Sequence, residues 1–459
     1  MSNYETPGVY IEEVATLPNA VAQVDSAVPA FIGYTQNSVA KATRIRSMVE
    51  FEALFGGPAN RMTVNLDANN KFGGILVHDV QFYLYESLQL YFANGGGPCY
   101  IVSAGTYAAA NLANTTQLTA ALNLIEKEDE PTLLVLTDGN ALSAAHYYDL
   151  VDTALTQCSS TGDRFTIIDV ARGTAGNSSA TSDLRGGSGV GANNLKYGAA
   201  YYPYLETTLV LSDATVDFIG GTTEFSTRTL AEVREIVQTN GTGAATIAPA
   251  LPAILNGVDA VRAQNPVILP PSAAMAGIYT KVDQDRGVWK APANIALESV
   301  AEPVVAVNDA TLAGLNVDAT GGKSINVFRE FAGKGTLVWG ARTLDGNSNE
   351  WRYVPVRRLF LVVQESIQKS TGHFVFEPND ANTWTRLKAM VENYLTTLWR
   401  EGALAGAKPE QAFFVNVGLG TTMTTDDVLN GRLIVEIGLA AVRPSEFVIL
   451  RFSHLMQAG

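Results

Sequence analysis

Apolar positions along this chain recur with two different periods, and the order in which those periods alternate outlines a fold. Near the start, Val9-Tyr10-Ile11-Glu12-Glu13-Val14 follows turn chemistry at Thr6-Pro7-Gly8. Its β-branched and aromatic content predicts a strand, with Tyr10, Glu12 and Val14 facing opposite to Val9, Ile11 and Glu13. At the other end, Glu446-Phe447-Val448-Ile449-Leu450-Arg451-Phe452 is apolar at nearly every position, as in a strand covered on both faces. Between them, residues 30–34 predict a short buried strand, and 47–55 a helix stopped by Gly56-Gly57-Pro58. A second helix over 78–92 carries Val80, Leu84, Leu88 and Tyr91 on one face and ends at Gly95-Gly96-Gly97-Pro98. Short apolar strands at 100–102, 132–136, 165–170 and 199–204 then alternate with helical periodicity at 118–126 and 141–156. That alternation predicts an α/β body around a mainly parallel sheet.

From 206 to 265 the text turns to Thr, Gly and Ala with one good helix at 230–238, which reads as a surface insertion. Amphipathic helices follow at 357–371 and 384–401, the second with Leu387, Val391, Leu395, Leu398 and Trp399 on its apolar face. Strands at 412–417 and 432–442 and a break at Pro444 lead to the terminal strand, 446–453. The expected domains are thus an N-terminal arm (1–22), an α/β body (23–350) and a C-terminal α+β domain (351–459). Two sticky terminal strands either close the chain's own sheet or are donated to another copy. The residue pattern alone leaves both open.

At 459 residues and 47% hydrophobic, the chain has ample apolar content for more than one core. Its 31 Lys+Arg against 45 Asp+Glu give a net charge of −14, which argues against nucleic acid as a partner. The imbalance is uneven. From Trp351 onward stand 11 of the 31 basic and 10 of the 45 acidic residues, so the last quarter is nearly neutral and better suited to packing against like copies. Cys99 and Cys158 lie far apart without metal-ligand spacing, and no apolar run approaches the roughly 18 residues of a membrane span. No basic n-region or apolar h-region opens the chain, so synthesis and folding in the cytoplasm are expected.

No chemistry-bearing motif survives inspection. Gly322-Lys323-Ser324 lacks the phosphate loop's first glycine, since Val317 stands there. Gly187-Ser188-Gly189-Val190-Gly191-Ala192 has the spelling of a dinucleotide turn but no strand leading in, and reads as a surface loop. His78, His146, His373 and His454 are scattered, with no pair at metal spacing. Asp138 follows a strand where an α/β hydrolase places an acid, and Pro271-Ser272-Ala273-Ala274-Met275-Ala276 is similar to the helix start that carries the subtilisin nucleophile. Ala274 occupies the nucleophile's place and has no oxygen to attack a carbonyl. The expectation is a non-enzyme without cofactor or metal.

A series of segments resembles contractile tail sheath proteins of phages and phage tail-like injection systems. They are Thr6-Pro7-Gly8-Val9-Tyr10-Ile11-Glu12-Glu13, Asn94-Gly95-Gly96-Gly97-Pro98-Cys99-Tyr100, Gly287-Val288-Trp289-Lys290-Ala291-Pro292-Ala293-Asn294, and 335–344. Trp351-Arg352-Tyr353-Val354-Pro355-Val356-Arg357-Arg358, Asn430-Gly431-Arg432-Leu433 and Arg443-Pro444-Ser445-Glu446-Phe447 complete the series. The resemblance covers most of the chain outside 206–265. It implies a subtilisin-like α/β body without protease activity. It also implies six-membered rings stacked helically around an inner tube protein, with baseplate and tail-terminator (cap) proteins at the ends and no insertion into the membrane. Terminal strands of one subunit would complete the C-terminal sheet of a neighbour, with Val9 to Val14 and Phe447, Val448, Ile449, Leu450, Arg451 and Phe452 as the connecting residues. Type VI secretion sheaths divide this work between two chains, so one continuous chain points to the phage-like branch. Arg386, Lys388 and Arg400 lie off the apolar stripe of the 384–401 helix, where they could face either acidic groups of a tube or solvent. Competing classes are a subtilisin-like hydrolase and a static self-assembling shell.

Overall fold

The computed structural model describes residues 20–447 and 449, apart from 79–81, 108–113, 172, 223 and 227. The chain divides into two compact units. The larger contains 25–362 together with the segment after Val442, and the smaller contains Val363–Val442 together with residues up to Val24.

The larger unit is organised around an eight-stranded sheet. Its strand order is Gly335–Trp339, Ile325–Phe331, Gly198–Tyr202, Phe165–Asp169, Leu133–Val135, Pro29–Thr35, Cys99–Thr106, Thr43–Ile45. The six inner strands are parallel, and the two edge strands run antiparallel to their neighbours. Parallel strands need crossovers, and the helices Thr115–Ile125, Ala144–Thr161 and Ser272–Arg286 cover the faces. Every residue of Pro29–Thr35, Phe165–Asp169 and Gly198–Tyr202 is buried, as a sheet sandwiched between helices requires. Ser143 starts the Ala144–Thr161 helix by accepting from the His146 N–H, and Gly162 closes it in the left-handed region. The mixed α/β class with a mainly parallel sheet is therefore observed.

The stretch 206–265 differs from its sequence reading. Besides the expected helix Leu230–Gln238, with a Thr229/Glu232 capping box, it holds the strand Val216–Gly220 and the helices Ala244–Ile247 and Leu251–Gln264. It also does not stand alone. Val216–Gly220 pairs in parallel with Met62–Leu66, which pairs antiparallel with Phe72–Val77. Met62, Val64, Val216, Phe218, Leu230, Val233, Ile254 and Val258 make a separate apolar cluster, so two distant pieces of sequence share one small core. The helix expected at 78–92 runs instead over Leu84–Ala93, because the His78 N–H donates to the Arg61 carbonyl and its ring meets Thr63 Oγ1 at 2.7 Å at the end of that hairpin.

In the smaller unit, the helix Ala381–Arg400 starts at Asp380, whose carboxylate accepts from the Thr383 N–H. It buries Leu387, Met390, Val391, Tyr394, Leu395 and Leu398, while Trp399 is half-buried and donates its indole N–H to the Gly406 carbonyl. This helix packs on a two-stranded antiparallel sheet, Phe413–Val417 with Val435–Leu439. The helix Val354–Thr371 runs on from the larger unit, and within the smaller one the N–H groups of Ala22 and Val24 donate to Ser370 Oγ and Ser366 Oγ.

Candidate functional site

A doubly wound sheet offers a ligand crevice at the carboxyl ends of its strands, where the strand order reverses. Here that place is filled. Asp138, just after Leu133–Val135, is fully buried and accepts from the Tyr34 N–H at 2.6 Å and the Tyr83 N–H at 2.5 Å. A methyl group at Gly33 would meet Asp138 Oδ2 at 2.6 Å, so the carboxylate lies directly against the strand backbone. Burial pushes the Asp138 carboxyl up to about 7 against the backbone N–H groups that pull it down. Its role is to cap the incoming Leu84–Ala93 helix from outside.

The subtilisin-like segment does begin a helix, Ser272–Arg286, and Ala274 is fully buried within it. Asp169 accepts from both the N–H and the Oγ of Ser272 at 2.7 Å, with Asn140 Nδ2 at 2.9 Å. Burial raises this carboxyl to about 6. Ser272 is itself buried, so the pair serves the helix N-terminus and is closed to a peptide. The nearest histidine in sequence, His146, pairs instead with Ser143. Cys158 bonds Thr166 Oγ1 and is pushed up to about 12 by burial, and Cys99 is likewise buried and raised.

The two glycine-rich motifs meet each other. Lys323 Nζ donates to the Val190 carbonyl, while the Asp152 carboxylate receives the Gly191 N–H at 3.0 Å on both oxygens. Arg185 donates to the carbonyls of Lys323, Gly314 and Leu315. The lysine that a phosphate loop would need is thus committed to strapping the 186–191 loop.

What the chain leaves open lies elsewhere. Beyond the Phe413–Val417/Val435–Leu439 ladder, the outer edges of this sheet carry few pairs among the described residues, chiefly around Ala403–Ala405 against Ala440–Val442. Phe414 is half exposed and its ring covers Gly438, where an added Cβ would meet the ring at 2.1 Å. Leu419, Leu429 and Ile434 are also exposed in this unit. Of the residues expected to connect subunits, Val9, Tyr10, Ile11, Glu12, Glu13 and Val14 lie outside the described residues, as do Val448, Leu450, Arg451 and Phe452. Glu446, Phe447 and Ile449 belong to no strand, and Phe447 and Ile449 are 70% and 76% exposed. Arg386 and Arg400 are exposed and Lys388 half-buried; Arg386 and Lys388 flank the buried stripe of the Ala381–Arg400 helix on opposite sides, and Arg400 lies across the helix from it. Arg386 already pairs with Glu377 at 2.9 Å and Lys388 with Glu392 at 3.7 Å, while Arg400 has no ion pair among the described residues.

A filled crevice and a small open sheet describe an assembly subunit, and comparison with known proteins agrees. Residues 347–454 match the phage tail sheath C-terminal domain. The whole chain is similar to the sheath of an extracellular contractile injection system, the PVC sheath complex in its contracted state. That likeness has 32% identity over 99% of this chain and 98% of the other, with a TM-score of 0.66. The contracted helical sheath of the anti-feeding prophage is similar at 33% identity over 98% and 99% of the two chains, with a TM-score of 0.64. The tail sheath protein of Vibrio phage KVP40 is 27% identical over 133 residues, which is 28% of this chain; the match spans 19% of that phage protein. The chain belongs to the contractile sheath family of phage tails and extracellular contractile injection systems. This is a family of structural sheath proteins, not enzymes.

Proposed function

We propose that this chain polymerises as stacked six-membered rings around an inner tube, mounted on a baseplate and closed by a terminator, and that the polymer contracts to drive the tube through a target envelope. The observation that carries this reading is the full-length likeness, at 32% identity, to a sheath captured contracted. The likeness to two extracellular injection systems runs end to end whereas the phage match is local, which favours an injection particle over a phage tail.

Strand exchange is the proposed joint. The Phe413–Val417/Val435–Leu439 ladder packs on the Ala381–Arg400 helix but leaves edge N–H and C=O groups to be paired, which further strands at its edges would satisfy. The Val9–Val14 segment of one neighbour and the 446–453 segment of another supply the right length, the first with a β-branched and aromatic run and the second apolar at nearly every position. A subtilisin-like body that has lost its crevice then acts as a rigid block, and the smaller unit as its connector. Linked strands let blocks rotate while neighbours stay joined, and a few kcal/mol per subunit sums over many subunits to a large work. Arg386, Lys388 and Arg400 are proposed to face acidic groups of the tube, in weak, salt-sensitive contacts that break on contraction.

Deleting residues 1–14 tests the joint. Soluble subunits with an unchanged circular dichroism spectrum should accumulate, and electron microscopy should find no long sheaths. Full-length sheaths from the deletion would refute strand donation by this arm.

A further inference from the structure

Near each end of the chain, a segment of the larger unit is held by an arginine–carboxylate clamp. On the C-terminal side, Glu446 receives Arg342 Nε at 2.8 Å and Nη2 at 2.7 Å, Asn316 Nδ2 at 2.8 Å and the Tyr353 hydroxyl at 3.1 Å. Arg342 is buried and held in turn by its own N–H on Asn326 Oδ1 and by its carbonyl on Asn326 Nδ2, beside the edge of the main sheet. Four donors on one carboxylate hold its proton affinity below the ordinary range despite partial burial. Among the described residues from 443 to 449, Glu446 is the one so tied, and the exposed Phe447 and Ile449 follow at once.

On the N-terminal side, Arg358 grips Asp283 with Nη1 at 3.0 Å and Nη2 at 2.6 Å, stacks over the Tyr279 ring, and donates Nη2 to the Ser26 carbonyl at 2.9 Å. Ser26 Oγ closes the loop on Asp283 at 2.6 Å, and Thr132 Oγ1 donates to the same Ser26 carbonyl at 3.0 Å. Three residues later the chain becomes the inner strand Pro29–Thr35.

We propose that these clamps are the anchor points of the two terminal arms, with Arg342 and Arg358 as positioning residues that pass tension in an arm to the main sheet. The proposal rests on the reading that the arms join neighbouring subunits. Tension along an arm acts on the rigid block at the first point where the arm is fixed to it. Among the described residues after 442 that point is Glu446; on the other arm, inward of the Ala22 and Val24 N–H bonds to Ser370 and Ser366, the first side chain tied within the larger unit is Ser26. A forked, charge-assisted contact suits this task because a pull on the chain must break several short bonds together. Both clamps sit beside strands of the same sheet, so tension from one neighbour reaches the other through one block.

Glu446→Gln keeps the side chain's shape and one acceptor oxygen while removing the charge, and Arg342→Lys keeps the charge while removing the fork. Parent, both variants and a deletion of 447–459 are purified as subunits, checked by circular dichroism, and assembled. Both point variants should fold and form sheaths. Chymotrypsin should cleave after Phe447 of the soluble subunit several-fold faster than in the parent, and the contracted sheaths should fall apart at a lower guanidinium concentration. The deletion should form no sheath. If the deletion still assembles, the joining of subunits by this arm is wrong and the anchor falls with it. If only the deletion fails, with cleavage rates and sheath dissociation of both point variants equal to the parent, the arm joins subunits but the clamp does not anchor it.

Discussion

Replacing Asp283 by alanine isolates the energetics of the buried clamp on the N-terminal side. The Arg358 residue is 2% exposed and the Asp283 side chain 4%, so neither charge is screened by solvent. Removing the carboxylate leaves the guanidinium with the Ser26 carbonyl and the Tyr279 ring, and takes away the acceptor of Ser26 Oγ. Stranding one member of a buried ion pair costs about 3–5 kcal/mol. That is a large part of the ~5–15 kcal/mol by which folded domains usually exceed their unfolded states. With two units in one chain, a single unfolding free energy is ill-defined, so the measurement is native-state hydrogen exchange by mass spectrometry on the strands Phe165–Asp169 and Gly198–Tyr202. At about 1.36 kcal/mol per factor of ten, their amides should exchange roughly 10²- to 10⁴-fold faster in Asp283→Ala. Adding Arg358→Met removes the stranded charge and should recover most of the loss. An increase below about ten-fold for Asp283→Ala, or no recovery in the double variant, would refute the assignment of a tightly coupled buried pair.

Three further outcomes follow from the same geometry. The Asp138 and Asp169 carboxyls, raised to about 7 and about 6, bind protons in the folded state that the unfolded chain has released above pH ~4. Their contribution is therefore complete below pH ~4 and is lost as pH rises through 6 to 7, so urea midpoints of the larger unit should decline from pH 5 to 8; a rise over that range attributable to these groups, abolished in Asp138→Asn, would contradict the sign. Gly438→Ala should drive the Phe414 ring from its place at a cost of about 1–3 kcal/mol and block assembly, with Phe414→Ala relieving the strain in the double variant; thermal unfolding and microscopy check both. Reversing Arg386, Lys388 and Arg400 together should leave the subunit folded but give sheath that forms without tube or contracts early, and normal co-assembly would place the tube contact elsewhere.

The main sheet was legible because each inner strand is a short run of apolar residues between turn signals, and a sheet buried on both faces needs nothing more. The helix start at Leu84 was not legible, since the carboxylate that takes the preceding Tyr83 N–H, Asp138, stands 55 residues further along the chain from Tyr83. The Met62–Leu66/Phe72–Val77 hairpin hid behind Gly73-Gly74 and an Asn-rich turn, and its third strand, Val216–Gly220, arrives from a stretch of Thr and Gly that carries little periodicity of its own. The absence of a usable nucleophile could be read from Ala274, but not the filling of the crevice, which depends on the approach of Asp138 to Gly33. Charge position told less than burial: Arg386, Lys388 and Arg400 stand off the apolar stripe as the helical period requires, yet two of the three already have acidic neighbours on their own chain. The Glu446 clamp has no local signature either, because its arginine is 104 residues distant.

The most direct test of the account is a cryo-electron microscopy reconstruction of the polymer formed by the purified full-length protein. It should be a six-fold helical sheath in which 9–14 and 446–453 of two neighbours extend the Phe413–Val417/Val435–Leu439 sheet on its open edges. A reconstruction in which both terminal segments fold back on their own subunit, or a protein that stays monomeric under conditions that polymerise related sheaths, would contradict it.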